Sequence, residues 1–187
     1  MKNVFLVLGF FMSLVSNAQD FSEYSNKIKA GGGYAHDFPG LNGYSLFAEV
    51  SRPISDKLQG AIGLKLSNMS GTPRTATVQE YTKSTSLDFN LYFVPLATEA
   101  SELRIGAGYS FSFYNIRRSY PVISDHANGA VTNWPVQDKK GRESGITLTG
   151  EYEYFIPGTD FSAGIRASTF KAYDRVGFVG VFGAVSF

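Results

Sequence analysis

Two carboxylates, Glu151 and Glu153, stand two residues apart in the stretch Gly150-Glu151-Tyr152-Glu153-Tyr154. On an extended strand that spacing puts both on one face. A pair of carboxyl groups in unlike surroundings can divide the work of acid and base. His36-Asp37 and Asp125-His126 add two places where a metal ligand or a proton carrier could sit. With two histidines and no cysteine in the whole chain, that is a thin ligand set, so neither a metal nor another cofactor is expected. The carboxylates also have company. Positions of the same parity in neighbouring stretches carry Lys29, Glu49, Lys65, Asp88, Arg104 and Arg166, so four cations stand against four anions. A buried unpaired charge is costly. The expectation is therefore a paired charge network rather than an enzyme site.

The elements that would hold such a network follow from hydrophobic periodicity. Alternation with period two recurs in eight segments: Lys27–Ala35, Gly43–Ser51, Leu58–Ser67, Ser84–Val94, Leu103–Asn115, Ser144–Phe155, Phe161–Phe170 and Val176–Phe187. One parity is wholly uncharged, for example Tyr44, Leu46, Ala48 and Val50, or Leu103, Ile105, Ala107, Tyr109, Phe111 and Phe113. The other carries the charges together with Asn90 and many Gly, Ser and Thr. A soluble β-sandwich and a membrane barrel both fit alternation alone. Aromatic residues at the segment ends, such as Phe93, Tyr152, Tyr154 and Phe161, suit the two interfaces of a bilayer. Gly31, Gly33, Gly63, Gly106, Gly108 and Gly164 share the charged parity and would make room inside a narrow barrel. A last segment that runs to the final residue, Phe187, is protected only if it pairs at once, which closure into a barrel provides. The predicted fold is all-β, an eight-stranded antiparallel transmembrane barrel.

Ahead of it, Met1 to Ala18 reads as a cleavable signal peptide. Lys2 precedes an apolar stretch from Val4 to Val15, and Ser16 and Ala18 occupy the small-residue positions. The division is then 1–18 signal peptide and 19–187 barrel. Without Lys2 the 17 basic residues become 16, against 16 acidic ones, and a neutral domain is not a nucleic-acid binder.

A signal peptide, eight alternating segments and a terminal Phe187 preceded by Val185, Val181 and Val179 resemble the small outer-membrane barrels of Gram-negative bacteria, the OmpA-, OmpX- and OmpW-like families of porin-like barrels. The resemblance spans the whole mature chain, with Gly183 interrupting the terminal pattern. It implies residence in the outer membrane after export through the periplasm, and recognition of the last strand by the barrel-assembly machinery. Some members continue into a peptidoglycan-binding module, which is not expected here because the chain stops at Phe187. The segment Ser124-Asp125-His126-Ala127-Asn128 is similar to the His-x-Ser-Asn motif of outer-membrane lipid A deacylases, but Asn128 stands where the nucleophilic Ser belongs, and acyl transfer then has no route.

An exported barrel of this kind starts and ends in the periplasm. Pro53–Lys57, Pro95–Glu102 and Pro157–Asp160 become periplasmic turns. His36–Asn42, Asn68–Lys83, Ile116–Glu143 and Lys171–Arg175 become external loops. Within the longest loop Asn128-Gly129 predicts a β-hairpin above the membrane, because its short arms carry Pro121 and Pro135. Arg117, Arg118, Tyr120, Trp134, Lys139, Lys140 and Arg142 are its contact candidates, and the basic ones suit lipopolysaccharide phosphates. The expected partners are outer-membrane lipid and lipopolysaccharide, the assembly machinery and another outer-membrane protein. The expected function is structural or interactive, through the loops or the outer wall. The alternative is a narrow channel gated by the interior salt bridges.

Overall fold

The computed structural model describes residues 26–72, 79–119, 122–125, 130–133 and 135–187. The proposed signal peptide therefore lies outside the described residues, as do Tyr120, Trp134 and His126. Eight long strands close into one antiparallel barrel: β1 (Lys27–Asp37), β2 (Asn42–Ser55), β3 (Leu58–Gly71), β4 (Glu80–Ala97), β5 (Ser101–Ser119), β8 (Val136–Phe155), β9 (Phe161–Lys171) and β10 (Arg175–Ser186). Two short strands, β6 (Val122–Asp125) and β7 (Ala130–Asn133), pair with each other in a separate hairpin, as the sequence leads one to expect.

β1 closes the ring by pairing with both β2 and β10. At the seam Asn26 and Phe187 exchange two backbone hydrogen bonds, of 3.0 and 2.9 Å, so neither edge is left open. One outward row of the ladder runs from Tyr34 through Tyr44, Asn68, Lys83 and Asn115 to Lys140 on β8. Followed the other way from Tyr34, the row passes Val179 and Ala167 and meets β8 at Gly150. The stagger between Lys140 and Gly150, ten residues, is the shear of the barrel; it tilts the strands and makes each row climb toward the long-stranded end.

All eight expected segments are strands, but several are longer than the hydrophobic pattern indicates. β3 continues to Gly71, β4 starts at Glu80, and the β5–β8 ladder extends to Ser119 opposite Val136. Much of the sequence assigned to the loops Asn68–Lys83 and Ile116–Glu143 is thus paired ribbon. Above the wall both faces meet polar surroundings, so the alternation fades while the backbone ladder carries on. At the other end β2 runs through Pro53 with a register irregularity between Pro53 and Ser55. A second irregularity between Phe93 and Leu96 coincides with Pro95, which has no N–H to give the ladder.

The burial pattern is that of a globular protein turned inside out. Lys29, Arg104 and Glu153 are fully buried, whereas Ile146, Val181 and Val179 are more than 60% exposed. Only a surrounding apolar medium makes that distribution favourable. Glycines on the inward parity do make room, though chiefly for rings. A Cβ at Gly106, Gly164 or Gly180 would meet the rings of Tyr92, Phe182 and Phe178 at 2.5 Å. Gly33 is more constrained still. It faces Gly180 across the closing seam, and a Cβ there would lie 2.2 Å from the Val179 carbonyl oxygen and 2.3 Å from the Gly180 Cα. Gly33→Val should prevent closure, leaving no heat-sensitive folded band on an unboiled gel. A normal folded band would show that the seam can open enough to take a side chain.

Candidate functional site: the charged interior and the basic outer rim

Pairing across the ladder builds the interior network. Glu151 on β8 sits in register between Arg104 on β5 and Arg166 on β9, and Lys29 on β1 faces Glu49 on β2. Period two then sends all five side chains inward. Lys29 Nζ lies 3.0 Å from Glu151 Oε2 and 3.3 Å from Glu49 Oε1. The Arg166 guanidinium contacts Glu49 Oε1 at 2.8 Å and also pairs with Glu151. Arg104 reaches Glu151 Oε2 at 3.5 Å and pairs with Glu153. Lys65 and Asp88 form a separate contact of 2.7 Å, and Ser110 donates a further hydrogen bond to Asp88. All eight interior charges singled out by sequence are thus brought into ion pairs.

Sequence reasoning missed several members. Lys27 pairs with Glu102 at 3.4 Å and with Glu153 at 3.2 Å, while Gln59 links Glu102 to Arg104 by hydrogen bonds of 2.6 and 3.2 Å. Tyr92 donates to Glu49 Oε2 at 2.9 Å. The signal was available. Lys27 and Glu102 lie two residues from Lys29 and Arg104, on the same parity, but at segment ends where alternation is short. With them, five cations (Lys27, Lys29, Lys65, Arg104, Arg166) balance five carboxylates (Glu49, Asp88, Glu102, Glu151, Glu153).

Above this network lies an apolar layer. Phe47 packs edge-on against Phe178 and Phe182 with ring centroids 5.9 and 6.4 Å apart, and Leu41, Met69 and Phe170 are buried in the same cluster. Leu41 reaches it because Asp37 folds the β1–β2 connection into the mouth, its Oδ1 accepting from the Leu41 and Gly40 backbone N–H groups at 2.7 and 3.1 Å. The two layers touch where the Arg166 guanidinium lies 3.9 Å from the Phe47 ring centre and Lys65 Nζ lies 3.8 Å from that of Phe170.

A second ionic cluster closes the mouth, and it corrects one assignment. Arg118, grouped by sequence with the external contact residues, points inward, pairing with Asp37 at 2.7 Å, Asp174 at 3.1 Å and Glu80 at 3.4 Å. Its parity on β5 is that of Arg104; the strand simply continues past Asn115, where the sequence reading ended it. Arg118→Leu should leave three acids facing one another and loosen the mouth. Faster amide hydrogen exchange at Leu41 and Thr82, with β10 unchanged, would register this; unchanged exchange would mean that the acids are held by other contacts.

Glu151 and Glu153 are buried, and each meets two or more cations. His36 and Asp37 face opposite sides of the wall: Asp37 is buried with Arg118, whereas the exposed His36 contacts Asn42 Oδ1 through Nδ1 at 2.8 Å.

Of the remaining contact candidates among the described residues, Arg117, Lys140 and Arg142 stand on the outer face of the ribbon, whereas Lys139, opposite the buried Ile116, takes the inward parity. Arg117 holds Asp138 in a two-pronged contact of 2.8 and 2.9 Å. That pair stands on the ribbon beyond the last β8–β9 pairing, and the hydrogen bond from Arg117 keeps the Asp138 carboxyl below its usual range. Lys139 Nζ lies 4.9 Å from the Tyr173 ring centre, and Lys140 and Arg142 are exposed. Val179, Val181 and Val185 share the outward face of β10, which runs from the mouth to the opposite end, where the exposed Phe187 follows it.

No protein-family model matches the chain, and no curated protein matches it in sequence. Solved structures do match. Neisserial surface protein A superposes with a TM-score of 0.56 at 14% identity, covering 89% of this chain and 98% of its own. The N-terminal β-barrel domain of Pseudomonas aeruginosa OprF gives 0.52 at 13% identity, covering 87% and 97%. Yersinia pestis Ail, the attachment invasion locus protein, solved in complex with the heparin analogue sucrose octasulfate, gives 0.53 at 11% identity, covering 88% and 97%. At these identities the likeness is one of fold. The fold is that of the small eight-stranded barrels of the bacterial outer membrane, and the apolar outer wall is suited to a lipid bilayer.

Proposed function

We propose that this chain is a closed, non-enzymatic barrel of the outer membrane that acts through its outer surface, as a structural or interaction protein, and conducts nothing through its middle. One observation carries the reading: the interior is filled in layers, with a neutral ion-pair network, an aromatic layer around Phe47, Phe178 and Phe182, and the Arg118 cluster over it. A solute passing along the axis would have to separate buried ion pairs and also displace packed rings. Eight strands enclose little more than their own side chains in any case.

On this reading the terminal Val179–Phe187 strand serves assembly, and the upper ribbons and outer wall meet lipid or a neighbouring protein. The test is solute release from vesicles carrying the refolded protein, set beside affinity extraction from native membranes in mild detergent. The expected result is no release of small sugars and a reproducible lipid or protein companion. Size-dependent sugar release would overturn the reading in favour of a channel.

A further inference from the structure

On the outer wall of β4, β5 and β8, three cations surround one aromatic ridge. Lys83, Asn115 and Lys140 are consecutive members of one outward row, and Thr85, Phe113 and Arg142 form the next row down. Adjacent strands lie about 4.8 Å apart, so the backbones of Lys83 and Lys140 are about 10 Å apart. Phe113 stands between two grooves. One, of about 480 Å³, runs between Leu66 and Phe113 with Lys83 at its upper edge. The other, of about 270 Å³, lies between Phe111 and Arg142.

None of the charge here is bonded to an acid, although Lys140 acts at a distance on Asp138, two residues away on the same face. Among the described residues neither Lys83, Lys140 nor Arg142 forms an ion pair, Lys83 lying only over the Tyr81 ring at 5.5 Å. The two acids nearby are already engaged, Asp138 by Arg117 and Glu143 by Lys171 at 2.8 Å. Below the three cations the wall is apolar, with Leu66, Leu87 and Phe111 outward; above them stands the polar Tyr81–Arg117–Asp138 row. A polar row above an apolar wall suits a head group above its acyl chains.

We propose that this surface holds a phosphate-bearing lipid of the outer leaflet with several acyl chains, its phosphate between Lys83, Lys140 and Arg142 and its chains straddling Phe113. The inference rests on the reading above, that the outer wall is the working surface and the long ribbons face outward. Three properties select this occupant. Three cations with no bonded counterion call for an anion. An apolar surface directly beneath calls for a hydrocarbon. Two grooves with a ridge between them call for more than one chain.

The test uses the full-length barrel refolded in a zwitterionic detergent and titrated with diphosphorylated lipid A, the acylated disaccharide anchor of lipopolysaccharide, or with phosphatidylcholine, under native mass spectrometry. The barrel should keep lipid A in preference to phosphatidylcholine. The combined variant Lys83→Gln, Lys140→Gln, Arg142→Gln should bind lipid A roughly a hundredfold more weakly, from three cations near a charged head group. Lys83→Arg with Lys140→Arg should bind as the parent does, and Lys57→Gln, in a turn at the opposite end, should have no effect. A folded triple variant that keeps lipid A at full affinity would overturn the proposal. So would equal retention of phosphatidylcholine, or displacement of lipid A by millimolar inorganic phosphate, which would indicate a bare anion site. Current through the same preparation in a planar bilayer would instead overturn the closed-barrel reading, whatever the lipid result.

Discussion

Glu151→Ala will strip the barrel of much of its stability, by about 3–5 kcal/mol, the loss typical of a buried ion pair deprived of one partner. Glu151 is the shared carboxylate of Lys29, Arg104 and Arg166. Its removal leaves three buried cations with only Glu49 and Glu153 to divide between them. Glu151→Gln should cost nearly as much, because shape is preserved but charge is not. The temperature at which the compact band disappears on a gel measures both. Arg117→Ala is the matched control: its pair with Asp138 is solvent-exposed, and exposed pairs contribute little. If Glu151→Ala melts like the parent, water or a rearranged Glu49 is satisfying the cations, and the interior is not the rigid plug described here.

The second large effect is expected at Phe182. Its ring fills the space that Gly164 leaves free, meets Phe47, and lies 5.8 Å from Lys29 Nζ, joining the apolar layer to the ionic one. Phe182→Ala should cost about 3–5 kcal/mol, the usual range for emptying a packed aromatic site. Urea unfolding from lipid vesicles would measure it. The reciprocal change, Gly164→Val, should destabilise as well, since a Cβ there would meet the ring at 2.5 Å and the Tyr152 carbonyl oxygen at 2.3 Å. A Phe182→Ala barrel as stable as the parent would mean that the rings occupy space without packing, and the case for a sealed axis would weaken.

Much of this architecture is legible in the sequence because a membrane barrel forces every crossing strand to choose its faces. Lipid allows no charge outside, so Lys29, Glu49, Lys65, Asp88, Arg104, Glu151, Glu153 and Arg166 fall on a single parity that counting alone recovers. The same rule explains what counting loses. Beyond the bilayer neither face must be apolar, so the continuation of β5 to Ser119 and the start of β8 at Val136 carry no alternation. Arg118 was misread for that reason. The aromatic layer was invisible for another. Phe47, Phe178 and Phe182 are apolar residues on the polar parity, and only their position opposite glycines and beside Arg166 gives them a purpose. The outer basic triangle needs three strands in register, which periodicity within one strand cannot supply.

A barrel sealed by its own side chains passes no ions, which single-channel recording from the refolded protein in a planar bilayer would measure. The membrane should stay silent at every voltage the bilayer withstands, for the parent and for Arg117→Ala alike. Discrete current steps that recur between preparations and scale with salt concentration would contradict it, and would mean that the ion pairs around Glu151 open and close a path.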